Sequence, residues 1–178
     1  MINQAAIKQK RYNNTMLFRM ESEVPPVQPL RLKVEINCYE HFNVLGLQKV
    51  PFEVCNPWFN GRCEITTYAL DELVGTKLRA LYQRKKGRDL FDLQVALQSG
   101  RLDVLWVLEC YQRYMEFVID KVPTYKQYVQ NMEEKMKDDE FLSDMELLLR
   151  EDAVRFNPIE AYEQVRAAFI EQLPGKRE

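Results

Sequence analysis

The 178-residue chain holds a single histidine, His41, and four cysteines, at 38, 55, 63 and 110, none in a CxxC spacing. That scarcity argues against a structural zinc site, which needs four such ligands at close spacing. His41 has no serine or cysteine in a nucleophile setting beside it, so a hydrolytic triad is not expected and the residue reads as a surface or structural histidine. Neither an apolar leader nor an apolar run of membrane-spanning length occurs, so the chain is expected to be cytoplasmic, without membrane contact, and its cysteines reduced. Nor is there an excess of either charge: 25 Lys and Arg stand against 27 Asp and Glu. Any contact with nucleic acid must then come from a local patch and not from the field of the whole molecule. Aspartate is missing until Asp71, and glycine until Gly46.

What is present is the composition of a folded globular chain, 46% hydrophobic and 29% charged. Residues 1–15, with Lys8, Lys10 and Arg11 among Asn and Gln, carry little apolar periodicity and read as an irregular start. Strands are expected at 16–20, 30–37, 49–55 and 62–67, with three prolines between Val24 and Pro29 marking a loop. The clearest is Leu30–Asn37, where Leu30, Leu32, Val34 and Ile36 alternate with Arg31, Lys33, Glu35 and Asn37. One face is expected in the core and the other as a charged row. The Asn60-Gly61 pair is a turn signal between two strands, and the front third reads as a small antiparallel sheet. After Tyr68 the period becomes helical, with helices expected at 70–84, 88–98, 102–120, 124–136, 138–150 and 158–173. Sheet first and helices after is an α+β pattern, divided at 68/69 into a β region and one compact helical region.

Lys77 stands out within this scheme. With Leu70 at 0° and about 100° per residue, Val74 falls near 40°, Leu81 near 20°, Leu73 near 300° and Lys77 near 340°, in the middle of the apolar stripe. An unpaired charge there costs several kcal/mol, so the amine must snorkel out, pair with a carboxylate, or face a pocket that an anion can enter. Arg79, near 180°, reads as a solvent-face residue. Just downstream, Arg84, Lys85, Lys86 and Arg88 form a basic run, and Asp89 and Asp92 share one side of the next helix's first turn. The acids are open to two readings, as charges favoured at a helix N-terminus or as a site that pairs with Lys77. The basic run is likewise either a solvated connector or a phosphate contact. Glu35 is either a metal-binding carboxylate or a partner for Lys33 or Arg31.

The strand Lys33-Val34-Glu35-Ile36-Asn37, the helix Glu72-Leu73-Val74-Gly75-Thr76-Lys77-Leu78-Arg79-Ala80-Leu81 and the segment Gly87-Arg88-Asp89-Leu90-Phe91-Asp92-Leu93, in that order, resemble the AbiEii/AbiGii abortive-infection toxin family. The resemblance runs from about residue 16 to the C-terminus. It implies a nucleotidyltransferase of a toxin–antitoxin, phage-defence system, with a partial mixed sheet of nucleotidyltransferase type followed by a helical bundle. It implies that Lys77 contacts the nucleotide triphosphate, that Asp89 and Asp92 form a second active-site element, and that Arg84, Lys85, Lys86 and Arg88 lie near the phosphates. Glu35 is similar to the strand carboxylate that approaches the metal pair. Mg²⁺ and NTP are the cofactors so implied, with a tRNA 3′ end as acceptor and an antitoxin as partner.

The family's Gly-Ser loop and Asp-x-Asp strand, which hold phosphates and Mg²⁺, have no counterpart here. The expectation is accordingly the latter two thirds of such a toxin, shortened at its N-terminus or a natural remnant, inactive and without tight cofactor binding on its own. The alternative is a non-catalytic binding or oligomerisation module that engages an antitoxin. An exposed sheet edge would allow pairing with a second copy.

Overall fold

A computed structural model describes residues 6–119, 121–146, 148–149 and 156–176. Among the described residues five strands precede six α-helices, so the class is α+β. The strands are β1 (Ala6–Lys10), β2 (Asn13–Glu21), β3 (Pro29–Asn37), β4 (Leu47–Cys55) and β5 (Asn60–Tyr68). They form a three-stranded sheet β1-β2-β3 and a two-stranded sheet β4-β5. Both are antiparallel throughout, as the strand and turn pattern suggests, whereas the family resemblance implies a mixed sheet. The chain clusters into two units, Met1–Phe42 and Asn43–Glu178, so the β4-β5 ribbon goes with the helices.

In the first unit, β1 occupies part of the stretch expected to be irregular. It carries one large apolar residue, Ile7, and is held by its ladder to β2 (Ile7 opposite Met16, Lys10 opposite Asn13) and not by an apolar pattern. β2 pairs β3 over its whole length, from Asn13 opposite Asn37 to Glu21 opposite Pro29. The expected core face of β3 is not buried: Leu30, Leu32 and Ile36 are 47%, 53% and 46% exposed. Alternation reports that a strand has two unlike faces; whether anything covers the apolar one depends on the rest of the fold.

In the second unit the turn of the β4-β5 ribbon falls at Asn56–Phe59, and Asn60 and Gly61 begin β5. The side chain of Asn56 makes that turn by accepting from the Trp58 and Phe59 N–H groups, both at 2.9 Å. Helices α1 (Leu70–Gln83), α2 (Gly87–Gln98), α3 (Val104–Val118), α4 (Tyr125–Lys135), α5 (Asp139–Ser143) and α6 (Pro158–Ala168) follow. α3 starts after Asp103 because that carboxylate caps the Leu105 and Trp106 N–H groups. α4 opens on a Thr124/Gln127 capping box, and α6 on Asn157 with Pro158 in the first turn. α5 is one short helix where a run to 150 was expected, and residues 147 and 150–155 lie outside the described set. α6 gives way at Phe169 to a 3₁₀ turn, Ile170–Gln172, and both Phe169 and Ile170 are fully buried.

The core of this unit joins Leu78 and Leu81 of α1, Leu90 and Leu93 of α2, Tyr111 and Met115 of α3, Tyr128 and Met132 of α4, and Val165 of α6. α1 and α3 touch backbone to side chain at Gly75, where a Cβ would stand 2.7 Å from Cys110 Cβ and 2.8 Å from the Val107 carbonyl oxygen. The cysteines are free thiols, and burial raises Cys110 to about 12.

Candidate functional site

α1 and α2 form a helical hairpin joined by Arg84–Lys86, which sets the second turn of α1 beside the first turn of α2. Around α1 the buried residues are Glu72, Val74, Gly75, Leu78 and Leu81. On the wheel used above they span from about 20° to about 200°, so the buried arc centres near Leu78. Lys77 therefore stands at the flank of the arc and not in its middle, and its side chain is 30% exposed. The apolar residues alone misplace the centre because Gly75 and Glu72 are two of the five buried residues.

The Lys77 amine lies between both predicted acids, 3.3 Å from Asp89 Oδ1 and 2.7 Å from Asp92 Oδ2. Asp89 has no exposed surface, whereas Asp92 is half exposed. The second cation on Asp89 is Arg84: its Nε donates to Oδ2 and its Nη2 to Oδ1, each at 2.6 Å. This bidentate fork, with Lys77, supplies the compensation that a fully buried carboxylate requires. The same bond to Asp89 holds the Arg84 guanidinium above its ordinary pKa. Asp89 also sits in the first turn of α2, where the helix dipole favours a negative charge.

The rest of the basic run is also engaged. Lys85 donates to Asp138, the N-cap of α5, which keeps that carboxyl below its usual range. Lys86 lies 3.5 Å from Glu140 and 4.0 Å from Asp144. Arg88 is exposed, and its backbone N–H donates to Asp144 at 3.1 Å. The run is thus stitched to α5 and the turn after it, partners over fifty residues downstream. Arg79, read as a solvent-face residue, lies instead half-buried with its guanidinium 5.4 Å from the Tyr114 ring centroid. Glu35 is in the other unit, on β3, 2.8 Å from the Lys33 amine.

Two buried polar residues, Glu72 and Lys135, escaped the sequence reading. Glu72 is fully buried and accepts from the Tyr114 hydroxyl (2.8 Å) and from the Val44 and Leu45 N–H groups (2.8 and 2.9 Å), which anchors the start of the second unit to α1. Nothing on the helical wheel marks it. Lys135 donates to the Leu81 and Tyr82 carbonyls, which the C-terminus of α1 leaves without helical partners. Burial lowers its pKa to about 8. Its signal was legible, since Tyr128, Met132 and Lys135 share the buried i, i+4, i+7 stripe of α4.

The described residues contain no group of three His, Cys, Asp or Glu able to hold a metal ion. Asp89 already accepts from two cations and Glu35 faces Lys33, so the donors present do not fit the oxygen shell of Mg²⁺. Beside Asp92 a shallow cavity of about 280 Å³ is bordered by Phe91, Val95, Ser99 and Arg101, and Lys77 is not in its wall.

Fold and site define an α+β protein whose helical hairpin seats a partly exposed lysine on a buried aspartate that an arginine also grips. The chain belongs to the family described as nucleotidyl transferase AbiEii toxin, type IV TA system, whose model matches residues 2–174. This is a toxin family of a toxin–antitoxin system, which implies an antitoxin as partner. Comparison with curated proteins and with solved structures finds no match. Among the described residues no helix is long and apolar enough to cross a membrane.

Proposed function

We propose that this chain supplies the triphosphate-facing part of a nucleotidyl transfer centre. The reaction moves a nucleoside monophosphate from NTP to the 3′ end of a tRNA: an acceptor hydroxyl oxygen bonds to the α-phosphorus, and pyrophosphate leaves. The observation that carries this reading is the Lys77 amine, kept at the protein surface by a carboxylate that has no exposure of its own. In this reading Lys77 touches the triphosphate. Asp89 and Asp92 are positioning residues that aim it, and Arg84 holds Asp89 in place. Arg88, exposed at the start of α2, adds a second cation for the phosphates, with Lys85 and Lys86 beside it. No step is assigned to Mg²⁺ on these residues, and transfer by this chain alone is not expected.

The second reading is a non-catalytic module that binds an antitoxin or a second copy. It is favoured by the engagement of Arg84, Lys85 and Lys86 with carboxylates of their own chain, which leaves them less free for phosphate.

The test is incubation with labelled NTPs, Mg²⁺ and total tRNA. The chain alone should label no RNA; robust labelling would show that its own residues suffice for metal and catalysis. In a transfer-competent form of the toxin, Lys77→Ala should lower labelling at least about 100-fold, the scale for one stabilising charge at a transferring phosphoryl group. Arg84 still grips Asp89 in that variant, so the fold should persist. Unchanged labelling, or a collapse of thermal stability, would move Lys77 to a structural role.

A further inference from the structure

The three-stranded sheet of Met1–Phe42 has a face that the transfer reading does not use. Side chains alternate across a strand, so the register places Lys8 and Lys10 of β1, Arg19 of β2, and Arg31 and Lys33 of β3 on one side. Lys8, Lys10, Arg31, Lys33 and Glu35 together border a shallow concavity of about 310 Å³. The other side carries Ile7, Met16, Phe18, Leu30, Leu32 and Ile36.

Three observations give the basic side a ligand chemistry. First, its charge runs against that of the protein. Residues 1–42 hold six Lys and Arg against four Glu, whereas residues 43–178 hold 19 against 23 Asp and Glu. Second, Arg19 and Arg31 are directly opposite one another on neighbouring strands, a like-charge pairing that weakens a sheet unless an anion lies over it. Third, among the described residues Lys33 has the carboxylate of Glu35, but Lys8, Lys10, Arg19 and Arg31 have no carboxylate partner. All five cations are exposed. Cations two residues apart on one strand repeat at about 6.6 Å, and neighbouring strands lie about 4.8 Å apart. The register sets Arg19, Arg31 and Lys33 towards one end of the face and Lys8 and Lys10 towards the other, with Glu35 in the row of Lys8. The cations thus run obliquely across the sheet, an extended arrangement that fits a run of linked phosphates better than one compact anion.

We propose that this sheet face binds the phosphate backbone of the RNA acceptor. The inference rests on the reading of the acceptor as RNA, and it assigns the acceptor's grip to Lys8, Lys10, Arg19, Arg31 and Lys33, apart from Lys77 and its acids. Recognition is through phosphates and carries no base sequence.

The experiment measures binding of a fluorescein-labelled tRNA transcript by anisotropy between 50 and 200 mM salt. Lys8→Gln/Lys10→Gln/Arg31→Gln/Lys33→Gln should weaken binding at least 10-fold at 100 mM salt. It should also flatten the slope of log K against log salt by about 3, four phosphate contacts at roughly 0.7–0.9 each. A control removes as many charges elsewhere, Lys49→Gln/Lys121→Gln/Lys126→Gln/Lys137→Gln, and should bind as the parent does. Equal losses in both variants would reduce the effect to net charge and overturn the proposal. So would an unchanged slope, or tighter binding to phosphatidylserine vesicles than to RNA. The substituted side chains are exposed, so both variants should melt as the parent does. Lys77→Ala should bind tRNA normally. If tRNA binding follows the sheet face while no form of the toxin transfers, the surface stands and the transfer reading falls. If transfer occurs but the face variant changes neither binding nor KM for tRNA, the reverse holds.

Discussion

Leu78, Leu81, Leu90 and Leu93 of the helical unit have no exposed surface, while Leu30, Leu32 and Ile36 of the three-stranded sheet stand about half in solvent. The residue types are the same and the sequence periods are equally clean. Helices that pack on several neighbours enclose one another's stripes, whereas a three-stranded sheet has two faces and encloses neither by itself. Charge divides the same way. In the helical unit cations are met by carboxylates from other elements, as Lys77, Arg84, Lys85 and Lys86 are; of the five cations on the sheet face only Lys33 meets a carboxylate among the described residues, and that one, Glu35, is on its own strand. One unit therefore spends its polar groups on internal order, and the other presents them outward.

The sharpest way to break this contrast is Asp89→Ala. It removes a buried carboxylate that accepts three charge-assisted hydrogen bonds, each worth about 1.5–3 kcal/mol and not additive, and the helical unit should lose roughly 3–5 kcal/mol in chemical denaturation. A loss below about 1 kcal/mol would mean that the network is solvated and ordinary. A matched pair of truncations comes next. Leu78→Ala should cost about 2–5 kcal/mol through its cavity, and Leu32→Ala within about 0.5 kcal/mol, because its surface is already wet. Equal costs would show that the apolar side of β3 is buried in solution.

The smallest effect concerns pH. Lys135 ionises in the fold near 8 instead of 10.5, so between those values the unfolded chain holds the proton that the native state has lost. Stability should therefore rise as pH climbs from about 8 towards 10, by the order of 1–3 kcal/mol, and Lys135→Met should abolish the rise. Tyr111 and Tyr128, whose hydroxyls burial holds protonated, oppose it only above about 10.

Much of the helical unit could be read in advance because its elements are punctuated. α1, α2 and α4 fall within about two residues of expectation, with Gly87 at the break between α1 and α2 and Pro123 just before α4. The sheet was harder. β1 is polar and takes its structure from Asn13–Leu17 across the ladder, which no local pattern encodes. At the site, the nearness of Lys77 to Asp89 and Asp92 was one of the alternatives that the wheel left open. The grip of Arg84 on Asp89 was not foreseen, since a bidentate fork depends on how the connector folds back. Glu72 shows the limit most plainly: its three donors come from Val44, Leu45 and Tyr114, up to 42 positions away.

Gly87 opens the segment that carries Asp89 and Asp92, and a methyl group on it would sit 2.1 Å from the carbonyl oxygen of Phe141. Two stretches of chain more than fifty positions apart thus share a space that only a hydrogen atom fits. For protein engineers the consequence is a fixed point: half-exposed Asp92 can be exchanged to probe chemistry, but any residue larger than glycine at 87 would drive the α5 region off the hairpin and change everything at once.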